Sequence, residues 1–283
     1  MNKRKIKIGV VAPGSRLEPA LADAVLEIAR TDYPDKFEIV FHPQCFLSSG
    51  HFAGDDGARL RAFVEVANDP SVDVLWFARG GYGSCRIAEA LLPQLSSAAR
   101  NKIYLGYSDA GFLLAALYAN GIGHQVHGPM PSDVNRAGGA SAVRRALDYL
   151  VDKDESGFEP TVTGGAKTAA FNITVLSELL GTPFAPDLAG HVLMLEEVSE
   201  HMYRIDRSLF HITSNVNIRR VSGIKLGRCS DILPNTPDFA QTEEQVARHW
   251  CKTAGIKYLG RADIGHDVDN KLVPFGIFQR AEA

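Results

Sequence analysis

Short, almost wholly apolar β-branched segments alternate with amphipathic stretches through the first half of this chain, and that alternation most constrains what it can become. Residues 6–12 and 72–78 are apolar nearly throughout, the pattern of strands buried on both faces; a strand with one wet face would alternate polar and apolar residues. Residues 37–41 and 103–106 read as two more strands. Between them, residues 18–30 put Leu21, Ala24, Val25 and Ile28 on one helical face, and residues 57–68 do the same with Leu60, Phe63, Val64 and Ala67. Further helices are expected from Ser84 to about Leu92 and over 110–119. Buried strands joined by helices predict an α/β fold, a doubly wound, mostly parallel sheet of the Rossmann-like kind. Ligands of such sheets gather at the carboxyl ends of the strands. Two loops fall on that edge, Arg79-Gly80-Gly81-Tyr82-Gly83 and Tyr107-Ser108-Asp109.

From about Arg136 the texture changes. A helix over 141–151 precedes a charged, small-residue stretch, 152–157, that reads as a linker. Beyond it come expected strands at 158–163, 191–196 and 221–229, and helices at 172–180, 203–213 and 242–253. Asn172 and Gly181 serve as the caps of the first of these helices. The looser alternation predicts a second, smaller α+β domain. The expected division is residues 1–135, a connecting helix and linker at 136–159, and 160–283.

Ser108 sits on a turn from a buried strand into a helix, a crossing that lifts the hydroxyl out of the sheet and aims free helix N–H groups at whatever it attacks. Gly106-Tyr107-Ser108-Asp109-Ala110 matches G-x-S-x-G except at Ala110. A plain cap of the next helix by Ser108 or Asp109 explains the same letters. The glycines at 80, 81 and 83 suit either a tight turn or a backbone cradle for an anion. A serine nucleophile needs a base, and the base an orienting acceptor. The strand over 191–196 ends in Glu196-Glu197, whose side chains point to opposite faces, so one of them can enter a cleft. His266 follows Gly265 in a polar turn, where it can swing into a cleft or remain at the surface.

Charge narrows the partners. With 30 Lys and Arg against 33 Asp and Glu the net charge is -3, and the one basic cluster is Lys3, Arg4, Lys5 and Lys7. A nucleic-acid binder normally gathers a basic excess on one face. The apolar run behind that cluster is too short for a signal peptide or a membrane span. The cysteines (45, 85, 229 and 251) are isolated, with no CxxC, which suits packed thiols in a reducing compartment. Cytoplasmic placement is therefore expected. His124-x-x-His127 lacks the rest of a metal motif, so neither a metal nor a cofactor is expected.

Taken together the segments resemble the LD-carboxypeptidase family of serine peptidases over nearly the whole chain. The resemblance runs through VAPGS (11–15), ARGGYG (78–83), GYSD (106–109), HGP (127–129), LLGTPF-x-PD-x-x-G (179–190), LEEVSEHMYRIDR (195–207) and DIGH (263–266). It implies a Ser108, Glu196 and His266 triad with the nucleophile on the first domain and its partners on a swivelling, barrel-like second one. It also implies an oxyanion hole from the amides of Gly81 and Asp109, and a substrate pocket lined by Arg79, Gly80, Tyr82, His127 and Arg204. The implied reaction is hydrolysis of the amide between the L-centre of a diamino acid and a terminal D-Ala in cell-wall tetrapeptides, during peptidoglycan recycling, by a homodimer. A peptidyl-nucleotide toxin of the microcin C type is the alternative substrate, and a non-catalytic two-lobed binding protein the alternative of another class. One departure is visible. The family commonly carries GGN where this chain has Ala170-Phe171-Asn172, so Phe171 would narrow that loop if it approaches the substrate.

Overall fold

The structure, a computed structural model, describes residues 4–278; Lys3 of the basic cluster lies outside them. The chain runs β1 (Ile6–Val11), α1 (Pro19–Asp32), β2 (Phe37–Phe41), α2 (Asp56–Asn68), β3 (Val74–Phe77), α3 (Cys85–Leu91), β4 (Ile103–Gly106), α4 (Gly111–Ala119), β5 (His124–His127) and α5 (Ala140–Leu147). It continues with α6 (Pro160–Thr163), β6 (Lys167–Asn172), α7 (Ile173–Leu179), β7 (Val192–Val198), α8 (Met202–Ser214), β8 (Gly223–Ser230), α9 (Glu243–Ala254), β9 (Tyr258–Arg261), β10 (Val273–Pro274) and β11 (Gly276–Ile277).

The first sheet has the order β10-β5-β4-β3-β1-β2, parallel except for the edge strand β10. It is covered on both faces, as the continuous apolar strands require. Ile8, Val10, Val74, Trp76 and Leu105 join the buried cluster shared with α1 and α5, while Val11, Leu75, Phe77 and Tyr104 face the cluster of α2, α3 and α4. The order reverses between β1 and β3, so the loops after those strands open at a topological switch point.

The second sheet has the order β11-β6-β7-β8-β9. Its strands β6 to β9 are parallel and joined in turn by α7, α8 and α9, so the alternation in this half is stricter than its sequence texture suggests. The barrel-like expectation takes the form of an open five-stranded sheet with register shifts near Glu196 and Leu226. The strand expected at 158–163 is instead the short helix α6, which Pro160 opens and the Glu159 carboxylate caps by accepting from Thr161 N at 2.7 Å. The strand itself comes later, as β6. One hydrophobic cluster holds residues of α4, β6, α7, β7 and α8 together, and the segment 273–277 lends a strand to each sheet. Among the described residues no helix is long and apolar enough to cross a membrane.

Gly106 ends β4 against a wall. A Cβ there would lie 2.5 Å from Phe77 Cδ2, inside the core, so any side chain forces repacking beneath the turn that follows. Gly106→Ala is expected to destabilise the protein by about 2 kcal/mol. Chemical denaturation should show a lower midpoint at unchanged m.

Candidate active site

Three loops meet at the switch point. After β4 the chain passes Tyr107 in an extended conformation and then Ser108 at φ 60°, a left-handed value that costs a residue with a Cβ on the order of 1 kcal/mol. A short 3₁₀ turn over Ser108–Ala110 leads into α4. The strained crossing leaves Ser108 partly exposed at the edge of the sheet. The neighbouring glycine loop is pulled against it by Asp109, which is buried and accepts from Gly83 N at 3.3 Å and Ser84 N at 2.9 Å. Burial raises the Asp109 pKa, and those bonds oppose the rise. Asp109 thus reaches sideways to the next loop, and Ser84, at the start of α3, makes no side-chain cap. A Cβ on Gly80 would sit 2.9 Å from Ser108 Oγ, so only glycine lets the two loops close. Ser15 N, after β1, donates to Gly80 O at 3.1 Å.

The second lobe brings two residues to the same place. Glu196, on β7, is fully buried, and one of its oxygens lies 2.5 Å from Nδ1 of His266, carried on the loop after β9. Burial alone would depress His266. The charge and hydrogen bond of Glu196, helped by Glu197 and Asp133, outweigh it, and the pKa is raised. Tyr107 connects the lobes: its ring lies 4.7 Å from that of His266 and 5.5 Å from that of His127, while its hydroxyl donates to Asp133 Oδ1 at 2.8 Å. His266 Nε2 has no hydrogen-bond partner among the described residues, so no bond to Ser108 Oγ is formed in this structure. Such contacts commonly tighten only with substrate bound.

The two adjacent acids differ sharply. Glu197 accepts from Asn172 Nδ2 (2.6 Å), Thr174 N (2.9 Å), Thr174 Oγ1 (2.8 Å) and Val198 N (2.9 Å), a full set that holds the start of α7. Glu196 has His266, and its second oxygen, Oε1, is without a partner among the described residues.

The residues expected to line the pocket separate. Tyr82 is half exposed and borders a largely apolar pocket of about 530 Å³ with Cys85, Phe112, Thr174, Leu179 and Phe184. Arg204, exposed on α8 and 3.6 Å from Glu200, borders a polar groove of about 290 Å³ that shares Thr174 and Glu178 with that pocket. Arg79 is exposed and donates to Arg16 O at 3.2 Å. His127 is 1% exposed, behind Tyr107, and faces protein. Phe171 does not narrow a substrate loop: it is a core residue of β6, with its ring 5.1 Å from that of Phe275. Sequence reasoning gave no place to Tyr107, Asp133 or Asn270. The GYSD motif contains the first, but a seam between two lobes is invisible in spacing. Among the described residues no group of three or more His, Cys, Asp or Glu is placed to hold a metal ion.

His127 makes a testable contribution to stability. Burial lowers its pKa to about 4, with Glu196 and the Asn270 contact only partly offsetting it. Between about pH 6.5 and 4 the unfolded chain therefore binds a proton that the folded chain refuses. The contribution is present above about 6.5 and is lost as pH falls toward 4, roughly 3 kcal/mol in all. His266, with its raised pKa, acts oppositely: its contribution is present below about 6.5 and is lost as pH rises through the raised value. In urea titrations from pH 7 to 4, His127→Gln should flatten the fall in stability; an unchanged slope would refute this.

Residues 8–128 match the LD-carboxypeptidase N-terminal domain and residues 166–280 the LD-carboxypeptidase C-terminal domain. The chain belongs to the LD-carboxypeptidase family. A probable murein peptide carboxypeptidase of Bacillus subtilis (strain 168) is 30% identical over 280 residues, covering 95% of this chain and 86% of the relative. The murein tetrapeptide carboxypeptidase of Pseudomonas aeruginosa (strain PAO1) is 25% identical over 293 residues, covering 95% and 91%. A crystal structure of muramoyltetrapeptide carboxypeptidase from Oxalobacter formigenes superposes with a TM-score of 0.77 at 22% identity over 96% of each chain. The microcin C7 self-immunity protein MccF in its wild-type apo state superposes with a TM-score of 0.78 at 17% identity, over 97% of this chain and 92% of that one. At these identities the superpositions establish the shared fold. The family assignment makes the chain a serine-type LD-carboxypeptidase.

Proposed function

We propose that the protein hydrolyses the amide between the L-centre of a diamino acid and a terminal D-Ala in murein tetrapeptides, with Ser108 as nucleophile, His266 as base and Glu196 as its orienting acid. The observation that carries this reading is the buried Glu196–His266 contact of 2.5 Å, set against the residue beside a strained, accessible Ser108. Ser108 Oγ attacks the scissile carbonyl while His266 Nε2 takes its proton. Glu196 keeps the other ring proton on Nδ1 and stabilises the imidazolium. The amides of Gly81 and Asp109 meet the oxyanion. His266 then gives the proton to the departing amine of D-Ala, and water, deprotonated by the same ring, releases the acyl-enzyme. Arg79, Gly80, Tyr82 and Arg204 belong to the substrate side of this reading, whereas His127 acts from behind Tyr107.

In this reading the nucleophile belongs to a domain of residues 1–135 and the other two members to residues 160–283, with 136–159 between. A cytoplasmic setting, suited to recycling of imported muropeptides, is supported by the isolated cysteines. Mass spectrometry of a D-Ala-terminated tetrapeptide and its all-L analogue after incubation with the protein tests the substrate. Loss of alanine from the first alone is expected. Loss from both, or from neither, would overturn the stereochemical assignment.

A further inference from the structure

Asn270 is wholly buried, four residues beyond His266, and the mechanism above gives it no role. A buried amide needs partners. Its Oδ1 accepts at 3.1 Å from the N–H of Gly265, the residue before His266, and lies 3.3 Å from His127 Nε2 at the end of β5. A backbone N–H can only donate, so the atom facing Gly265 must be the oxygen. His127 shares that oxygen and therefore carries its proton on Nε2. Burial keeps the ring neutral, with its pKa lowered to about 4, so this single N–H is committed to Asn270. One oxygen thus ties a strand of the first lobe to the loop that carries His266.

The rest of that loop is gripped from both sides. Arg145, on α5, donates to the carbonyls of Val268 (2.8 Å) and Asn270 (3.0 Å), and Val273 pairs with His127. Arg228, on β8, binds Asp263 at 2.5 Å and also Asp267. These contacts hold the loop's flanks, while Asn270 reaches the backbone N–H of the residue before the base.

We propose that Asn270 is a positioning residue, which sets His266 over Ser108 across the seam between the lobes by accepting from Gly265 N–H and His127 Nε2–H on one oxygen. The proposal rests on the assignment of Ser108, Glu196 and His266 made above. A base that must take a proton from the serine and deliver it to the departing amine tolerates little displacement; about 1 Å costs on the order of 10²-fold. Tyr107 limits the ring on one side and Glu196 fixes Nδ1. Asn270 fixes the backbone at Gly265, one residue before the ring. The ionisable groups that face His266 are Glu196 and Glu197 from β7, Asp133 and Tyr107 from the first lobe, and His127 from β5, with Asp263, Asp267 and Arg228 around its own loop.

The test uses the full-length protein, as wild type, Asn270→Leu and Asn270→Asp. Leucine matches the side chain in size and cannot accept; aspartate keeps the acceptor. The measurements are kcat and KM on the D-Ala-terminated tetrapeptide across pH, and the rate of Ser108 labelling by a fluorophosphonate probe. Asn270→Leu should lower kcat by roughly 10²-fold with KM within about threefold, and slow labelling in parallel. Its acid limb in kcat/KM should move to lower pH, because a loosened Glu196 contact raises the His266 pKa less. Asn270→Asp should recover to within about tenfold of wild type. A leucine variant that keeps kcat, one that loses it with the acid limb unmoved, or an aspartate variant no better than leucine would each overturn the proposal. If circular dichroism shows Asn270→Leu unfolded, Asn270→Ala takes its place under the same criteria. Wild type that neither labels nor cleaves defeats the underlying serine-hydrolase reading; wild type that labels, beside variants that label equally fast, defeats the Asn270 proposal alone.

Discussion

Ser108→Ala is expected to lower kcat for release of D-Ala from a tetrapeptide by about 10⁴-fold or more, with KM little changed, while the protein remains folded. The loss is large because removal of Oγ deletes the bond-forming atom, and the Glu196–His266 pair then has no hydroxyl to deprotonate. The fold is spared because Ser108 is partly exposed and alanine keeps the same Cβ in the same left-handed backbone. Ser108→Gly separates strain from chemistry. Glycine adopts φ 60° without penalty, so this variant should be as inactive as the alanine variant yet melt at a higher temperature, by on the order of 1 kcal/mol of stability. Retained turnover in either variant would remove Ser108 from the mechanism. Inactivity without the stability gain would leave the chemistry intact and deny that the turn stores strain.

How far such a site can be read from sequence depends on whether each residue's role is local. Strands β1, β3 and β4 are legible because burial on both faces writes short apolar runs, whereas the edge strand β2 is only half-buried and alternates; the switch-point rule then places the Gly80 and Ser108 loops at one edge without any knowledge of contacts. β5 is not legible: His124-Gln125-Val126-His127 is polar at three of its positions, and its place in the sheet comes from neighbours on either side. β6 escapes for a related reason, since Thr168, Ala169 and Ala170 are too small to write a strong period. The two-residue strands β10 and β11 exist only as pairings with β5 and β6. Strand alternation separates Glu196 from Glu197, but which of them meets a histidine is decided seventy residues away in sequence. His127 and Phe171 show the converse. Their residue types and motif positions suggest a cleft, and burial puts both inside the protein.

The paired substitutions Glu196→Gln and Glu197→Gln should give crossed phenotypes, because the two acids spend their oxygens differently. Glu196 has one protein partner, the imidazole, and an Oε1 without one among the described residues, so glutamine fits without leaving several donors stranded. Folding should survive. Catalysis should not: the amide is uncharged and cannot stabilise the imidazolium, and if its NH₂ turns toward Nδ1 it favours the wrong tautomer. A kcat loss of roughly 10³- to 10⁴-fold is expected. Without the carboxylate, burial dominates the His266 titration, so its pKa falls and the acid limb of kcat/KM moves to lower pH. Glu197 instead receives four donors, two from backbone amides and two from the side chains of Asn172 and Thr174. Glutamine there turns an NH₂ against at least one of those donors and leaves a buried group unsatisfied. Glu197→Gln should therefore cost about 2–3 kcal/mol of stability, with kcat of the folded fraction within about tenfold of wild type and its acid limb nearly unmoved. Equal kinetic losses in the two variants would mean that the pair is not divided between chemistry and scaffold. A Glu197 variant with the larger loss and the shifted acid limb would make Glu197 the acid that tunes the base, despite the 2.5 Å contact of Glu196 with His266.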